Sequence, residues 1–289
     1  MKKKILLWIL AVLITLGAAY YQRLTGPTYP KTTEITLNNE SYELSLPRSY
    51  GGEKYDDCEV KLEISDPGMS GKIFYRRYPT EEAWDSANFY HEHRKINSFI
   101  SNRIFNKYEE DVLVVELPNQ PPAGKLEYYI ELTTNGKIVS IAEEKPVVIR
   151  FKGLVPLYFL IPHVILMFAA MLISNLAGLY AAFNIKRFRF YTFLTLVLLF
   201  VGGLILGPVV QKYAFGEFWA GVPFGWDLTD NKLLIAFIVW LIAFIGNRKS
   251  ERRYLTIIAA VVLLLIYSIP HSMFGSELDY ETGEITQGI

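Results

Sequence analysis

The sequence has little of the side-chain chemistry on which enzymes and metal centres depend. Its 289 residues include one cysteine, Cys58, and four histidines. A single cysteine excludes an intramolecular disulfide framework and a Cys-x-x-Cys site. The sequence also has no Gly-x-Ser-x-Gly, no His-Glu-x-x-His and no phosphate-loop motif. These absences favour a protein that is not an enzyme.

An excess of charge of either sign is also missing. Lysine and arginine number 29, aspartate and glutamate also number 29, and the formal net charge is zero. Proteins that bind nucleic acid usually carry a basic patch or stripe, and none is present here. Nucleic acid is therefore not an expected partner.

Long apolar runs, in contrast, are abundant. The chain is 51% hydrophobic with a mean hydropathy of +0.21, and a polar stretch from about residue 25 to 150 precedes a very apolar half. A helix needs roughly 20 apolar residues to cross about 30 Å of hydrocarbon. Five segments approach this length, and we expect the fourth to begin in the loop before it. They are residues 5–21, 154–183, 191–210, 233–246 and 255–269.

Positive charges predict the orientation of these spans. Three lysines precede the first run, which is either an uncleaved anchor, the favoured interpretation, or a signal peptide. Basic residues also follow the second and fourth runs, at positions 186–189 and 248–253, and such clusters mark cytoplasmic loops. We therefore expect a bacterial inner-membrane protein with its N-terminus inside and its C-terminus outside. The predicted domains are residues 1–24 (anchor), 25–152 (extracytoplasmic) and 153–289 (four-helix transmembrane bundle).

The polar stretch reads as an all-β, immunoglobulin-like sandwich. Short alternating runs are separated by glycine, proline and asparagine, and Asn135-Gly136 is typical of a hairpin turn. Residues 81–108 have a more helix-like pattern. His91 and His93 lie within them and are interpreted as surface histidines, and Cys58 as incidental.

Residues 211–232, here called the aromatic loop, join the third and fourth spans on the predicted outer side. The loop carries five phenylalanine and tryptophan side chains among glycine and proline, and then Asp227, Asp230 and Asn231. Aromatic residues are expected at a membrane interface, but they also offer stacking faces to a flat ligand. The polar residues resemble a helix N-cap, and Asp230 and Asn231 are expected to form most of it. The phenylalanine and tryptophan side chains are those of Phe215, Phe218, Trp219, Phe224 and Trp226.

Two histidines are predicted on the same side as the aromatic loop. His163 and His271 both follow a proline near the outer end of a span. Imidazole is a common axial ligand of haem iron, and two facing histidines can fill both axial positions. Lys212 or Lys232 would then pair with the propionates. The alternative interpretation is that each proline–histidine pair only shapes a helix end.

With its histidine, aromatic loop and second histidine in this order, the chain resembles the haem-handling membrane proteins of cytochrome c maturation. Their external loop is rich in tryptophan, ends in Trp-Asp and is flanked by two histidines. The resemblance covers about residues 155–275. It implies a haem platform of Trp219, Trp226 and Asp227, with Phe215 and Phe224 beside it, and axial ligation by His163 and His271. The loop is also similar to that of an uncharacterised bacterial membrane-protein family.

Two functions are consistent with these patterns. The first is haem binding at the outer face, in aid of cytochrome assembly or electron transfer. Because no histidine lies in the middle of a span, holding haem is better supported than carrying it across. The second is a non-enzymatic membrane assembly or interaction protein, whose β-sandwich binds an extracytoplasmic partner while the loop anchors it in membrane lipid. A transporter has less support, since the spans offer few polar groups.

Overall fold

The structure is a computed structural model that describes residues 2–37, 40–51, 56–96, 103, 106, 108–271, 273 and 275–287. The chain forms two compact units. The helical unit comprises Met1–Pro27, Val155–Glu277 and Ile285–Ile289, and the β unit comprises Thr28–Leu154 and Leu278–Glu284.

The β unit is built from short strands that pair antiparallel, except for the parallel pair of β3 and β11. One sheet has the order β3-β11-β9-β5-β6, with β10 paired to the far half of β9; a second has the order β4-β8-β7, and β1 and β2 form a hairpin. The strands are β1 (Lys31–Leu37), β2 (Glu40–Leu46), β3 (Ser49–Tyr50), β4 (Cys58–Leu62), β5 (Ser70–Arg77), β6 (Asp85–Asn88), β7 (Tyr90–Lys95), β8 (Glu109–Leu117), β9 (Lys125–Thr134), β10 (Lys137–Ile141) and β11 (Val147–Phe151).

One hydrophobic core serves both sheets and the hairpin. Alternate residues of the strands point inward, as the period of two requires, and Leu44, Val60, Ile73, Leu113 and Ile130 are fully buried there. The prediction of a β domain is therefore confirmed at the level of its strands. Its predicted hairpin is confirmed as well, because positive φ values of 50° at Asn135 and 74° at Gly136 turn β9 into β10.

The helix-like interpretation of residues 81–108 is wrong wherever the structure describes long stretches of them. Asp85–Asn88 and Tyr90–Lys95 are strands β6 and β7, in different sheets. Between them Phe89 is buried and donates its backbone N–H to Gly71 at 2.9 Å. Burial of Phe89 and pairing with β5 and β8 outweigh the local helix propensity. Residues 97–102, 104–105 and 107 of this prediction lie outside the described residues.

The helical unit contains α1 (Lys2–Thr25), α2 (Leu157–Ala182), α3 (Phe188–Leu198), α4 (Gly207–Phe215), α5 (Leu228–Lys249) and α6 (Arg253–Ser268). A π-helical segment, Leu199–Leu206, joins α3 to α4. Within the described residues, Lys2–Thr25, Leu157–Ala182, Phe188–Phe215 and Leu228–Lys249 are long and apolar enough to cross a membrane. With 16 residues, α6 is a shorter apolar helix than these four. It is about 24 Å long at 1.5 Å per residue.

Small residues and polar side-chain pairs hold the helices together. A Cβ on Gly178 of α2 would lie 2.6 Å from the Cβ of Ala260 in α6, so the two backbones approach as closely as glycine permits. In the same unit, Asn175 donates to the hydroxyl of Thr15 at 3.0 Å, joining α2 to α1. Leu7 of α1 is buried in this core, so α1 packs as an integral helix of the unit.

The last part of the chain contributes to both units. Ser276–Leu278 (β12) and Ile285–Gln287 (β13) form a two-stranded sheet. Within the β unit, the Tyr280 hydroxyl accepts from the Lys125 N–H at 2.9 Å and lies 3.1 Å from the Gln120 amide oxygen. The Arg77 guanidinium lies 5.1 Å from the centre of the Tyr280 ring. No local sequence pattern predicts this docking.

Candidate functional site

The aromatic loop is braced from within by the start of α5. Gly216, with a φ of 92°, ends α4 and turns the chain into the loop. The Asp230 carboxylate accepts from the backbone N–H of Ala220 at 2.6 Å and from the Gln211 amide at 3.0 Å. The Asn231 side chain accepts from the N–H of Val222 at 2.8 Å. Side chains of α5 thus replace the strand or helix partners that this irregular backbone lacks.

Asp227 is the residue that caps α5. Its carboxylate accepts from the backbone N–H of Thr229 at 2.8 Å and of Asp230 at 3.1 Å, and it is buried. We predicted that Asp230 and Asn231 form most of this N-cap. Their side chains instead bind the backbone of the loop. The predicted part of Asp227 in a haem platform stays a prediction.

The predicted aromatic platform is divided by its exposure. Trp219 is held by its own loop, because its indole N–H donates to the carbonyl of Val222 at 3.1 Å. Phe215 is half-buried at the end of α4. Phe224 and Trp226 are 83% and 79% exposed, and Phe218 is 57% exposed. The loop therefore exposes Phe218, Phe224 and Trp226, whereas Phe215 and Trp219 are half-buried.

His163 lies in α2 against the π-helical segment. Its Nδ1 is 2.8 Å from the carbonyl oxygen of Gly202. A carbonyl can only accept, so Nδ1 carries the proton and Nε2 carries the lone pair. Metal-bound histidines commonly have this arrangement, in which the second nitrogen donates to a carbonyl. A neutral structural histidine would have it too.

His271 is exposed in the turn after α6. The buried Lys232 side chain donates to the carbonyls of Ile269 and Pro270, both at 3.2 Å, and so caps the C-terminus of α6. Lys212 donates to the carbonyl of Gly216. Both lysines that were expected to pair with propionates therefore bind backbone carbonyls within the helical unit.

The first turns of α5 adjoin the segments that carry both histidines. A Cβ on Gly207 would lie 3.7 Å from the His163 ring and 3.9 Å from a methyl group of Leu233. The preceding residue, Lys232, binds the carbonyl of the proline before His271. The structure thus brings the base of the aromatic loop near both predicted ligand segments, and coordination by the two imidazoles stays a prediction.

The β unit displays an ordered array of charges on the sheet β4-β8-β7. Arg94 binds both carboxylate oxygens of Glu59, each at 3.0 Å, and its Nε donates to Glu110 at 3.1 Å. Lys61 binds Glu110 at 3.0 Å and Glu63 at 3.2 Å. The Glu59 carboxylate, and then Glu110, raise the pKa of Arg94. We call these five residues the ion-pair array. No pattern in the sequence predicted it, because its members come from three separate segments of the chain.

His91 and His93 both lie on β7, and each ring has a hydrogen-bond partner outside that strand. His91 Nε2 is 2.8 Å from the carbonyl oxygen of Met69, and His93 Nδ1 is 2.7 Å from the Asp111 carboxylate. The hydrogen bond and charge of Asp111 raise the pKa of His93. In the described part of the chain, no group of three or more histidine, cysteine, aspartate or glutamate side chains is arranged to hold a metal ion. The chain matches no protein-family model, no curated protein and no solved structure.

Proposed function

We propose that the chain is an integral inner-membrane interaction protein without enzymatic activity. Its helices anchor it, and its β unit, an immunoglobulin-like sandwich, binds a protein partner on the extracytoplasmic side. The ion-pair array is the observation that carries this proposal.

The outer carboxylates of the array are available for recognition. Glu59 and Glu63 are 46% and 56% exposed, and ion pairs at such exposed sites typically contribute only about 0.2–1 kcal/mol each, because solvent screens them and the side chains lose entropy. Glu110, at 10% exposed, is the inner member of the array. What the bidentate Arg94–Glu59 pair does achieve is to fix where its charges lie. Preorganised charges favour the correct partner and speed its association. With three carboxylates and two cations, the array best fits a basic surface.

Three features support the membrane placement. Four helical stretches are long and apolar enough to cross a bilayer. The basic residues at 186–189 and 248–253 lie in or next to the turns between α2 and α3 and between α5 and α6, which fits a cytoplasmic side for both turns. Burial of Leu7 in the helical core favours α1 as a retained anchor over a cleaved signal peptide.

The proposal is tested on the full chain extracted from its own membranes in a mild detergent. A stoichiometric complex should elute at low salt and weaken as salt is raised. Glu63→Lys reverses the most exposed carboxylate of the array and should reduce recovery of the partner several-fold. Glu82→Lys is the matched control, because Glu82 is also an exposed carboxylate paired with a cation, Arg77 at 3.5 Å, outside the array. Equal recovery with both variants contradicts the proposal.

Haem binding at the outer face is the second candidate, and the hydrogen bond of His163 supports it. With Nδ1 donating to Gly202, Nε2 is the nitrogen that would bind iron, and His271 is the second predicted ligand. Bound haem would supply one-electron chemistry, and these residues would fix its orientation. Phe224 and Trp226 have the exposed faces needed for stacking.

The haem candidate is tested by expressing the chain with a haem precursor and recording its absorption spectrum. A low-spin Soret band should change in His163→Ala and in His271→Ala and stay the same in His91→Ala, the matched histidine on β7. A purified chain without a Soret band would remove this candidate and leave the interaction proposal intact.

A further inference from the structure

The tip of the aromatic loop is an exposed apolar surface without a formal charge. Residues 218–226 read Phe-Trp-Ala-Gly-Val-Pro-Phe-Gly-Trp and contain no acidic or basic side chain. Phe224 and Trp226 are the most exposed large apolar side chains among the residues that the structure describes, at 83% and 79%, and Phe218 and Val222 add 57% and 41%. We call residues 218–226 the aromatic tip.

Four backbone N–H groups of the aromatic tip are satisfied by the protein itself. The N–H groups of Phe224 and Gly225 donate to the carbonyl of Gly221 at 2.9 and 3.0 Å. The N–H groups of Ala220 and Val222 donate to side chains at the start of α5. Pro223 has no N–H to satisfy, and the Trp219 indole donates within the tip. These four N–H groups therefore need no water as a partner.

This pairing has a consequence for where the aromatic tip can lie. Hydrocarbon offers no hydrogen-bond partners. A backbone N–H or C=O group that enters it must be paired within the protein, because each unpaired group costs several kcal/mol. The tip meets this requirement at the N–H groups named above while it exposes phenylalanine and tryptophan. Tryptophan favours the boundary between headgroups and acyl chains. A lipid surface thus fits both the side chains and the backbone.

The position of the aromatic tip agrees with its chemistry. It follows the helical stretch Phe188–Phe215 and precedes Leu228–Lys249, both of membrane-spanning length. The tip therefore lies where two such helices end. We propose that the aromatic tip inserts Phe224 and Trp226 into the bilayer at the boundary between headgroups and acyl chains. This inference rests on the membrane placement proposed above.

The depth of the aromatic tip can be measured with a nitroxide spin label. In a Cys58→Ala background, the label is placed at Phe224→Cys in the full chain, in nanodiscs of phosphatidylcholine and phosphatidylglycerol. Collisions with oxygen, which concentrates in lipid, are compared with collisions with a water-soluble nickel complex. Ile242→Cys, on an exposed part of α5, provides the lipid reference, and Lys137→Cys in the β9–β10 turn provides the water reference.

The expected result is a ratio of oxygen to nickel collisions at position 224 several-fold above that at position 137 and below that at 242. A ratio equal to that at position 137 would place the tip in water and overturn the proposal. Protection from both reagents would mean that protein or a bound ligand covers the tip, which also overturns it. Extraction of the chain by alkaline carbonate would instead overturn the membrane placement itself.

A tryptophan measurement checks the result without changing Phe224. Phospholipids brominated near the headgroup should quench the fluorescence of the wild type more than that of Trp226→Phe, because the proposal places Trp226 beside the bromine atoms. The difference between the two proteins reports on Trp226 alone. Equal quenching in the two proteins contradicts insertion of Trp226. The matched variant Trp84→Phe, in the β unit, should leave the quenched part of the emission unchanged.

Discussion

Three neighbouring polar residues at the end of the aromatic loop have separate structural tasks. Asp227 caps α5, whereas Asp230 and Asn231 reach back to the backbone of the loop. The division follows from geometry, because only the first of them precedes the helix and can accept from the free N–H groups of its first turn. Sequence alone predicted a cap here, but it assigned the cap to Asp230 and Asn231 instead of Asp227.

The cap assignment predicts the effect of Asp227→Ala. Loss of an N-cap side chain typically costs about 0.5–2 kcal/mol. The variant should therefore unfold at a lower temperature than the wild type in the same nanodiscs. Asp227→Ser keeps a hydroxyl oxygen at the cap and should recover most of the loss. If the alanine and serine variants unfold together, the side chain at position 227 does not act as a cap.

Burial of Cys58 predicts slow thiol chemistry. Burial, with a smaller effect of Glu59, raises the pKa of this thiol from 9.0 to about 12. At pH 8 only about one thiol in ten thousand is then ionised, and the thiolate is the reactive form. Native protein should react with a disulfide reagent orders of magnitude more slowly than unfolded protein.

The same shift gives the sign of a pH effect. The unfolded chain loses the thiol proton near pH 9, while the folded chain keeps it until about pH 12. The contribution of this group to stability is therefore complete below pH 9 and is lost as the pH rises toward 12. Fast labelling of native protein at pH 8 would contradict both statements.

At the scale of elements, the correct predictions came from sequence patterns that allow few alternative structures. The Asn135-Gly136 turn needs two positive φ angles, which few other pairs tolerate, and it forms as expected. Long apolar runs gave the helices for a similar reason, since few other structures accommodate them. Strands β6 and β7 were missed because their formation depends on partners distant in sequence, such as Gly71 for Phe89.

The contact between α2 and α6 gives a prediction about a pair of elements. Gly178→Ala would place a Cβ 2.6 Å from that of Ala260, which is too close, so one helix must shift. Overpacking of this kind typically costs about 1–3 kcal/mol. The double variant Gly178→Ala with Ala260→Gly exchanges the two side chains and should restore most of the thermal stability. A double variant no more stable than Gly178→Ala would show that this contact does not determine how α2 and α6 pack.

At the scale of the whole molecule, the average composition conceals two very different halves. A net charge of zero and a mean hydropathy of +0.21 describe neither the β unit nor the helical unit. The division was predictable, because hydropathy changes sharply near residue 150. The docking of Tyr280 in the β unit was not, because a hydrogen bond between residues 125 and 280 leaves no local pattern.

The proposed topology predicts which positions meet an impermeant reagent. In a Cys58→Ala background, single cysteines replace Lys137 in the β unit, Lys186 between α2 and α3, and Glu281 in the last part of the chain. The distribution of positive charge predicts that the basic turns lie inside. An impermeant maleimide added to cells whose outer membrane has been made permeable should then label positions 137 and 281. Position 186 is labelled only after the inner membrane is opened.

Labelling of all three positions in cells with a closed inner membrane would contradict the membrane placement. Labelling of position 186 alone would invert the proposed topology. The result also bears on the aromatic tip, which can reach only the outer leaflet if residues 137 and 281 lie outside.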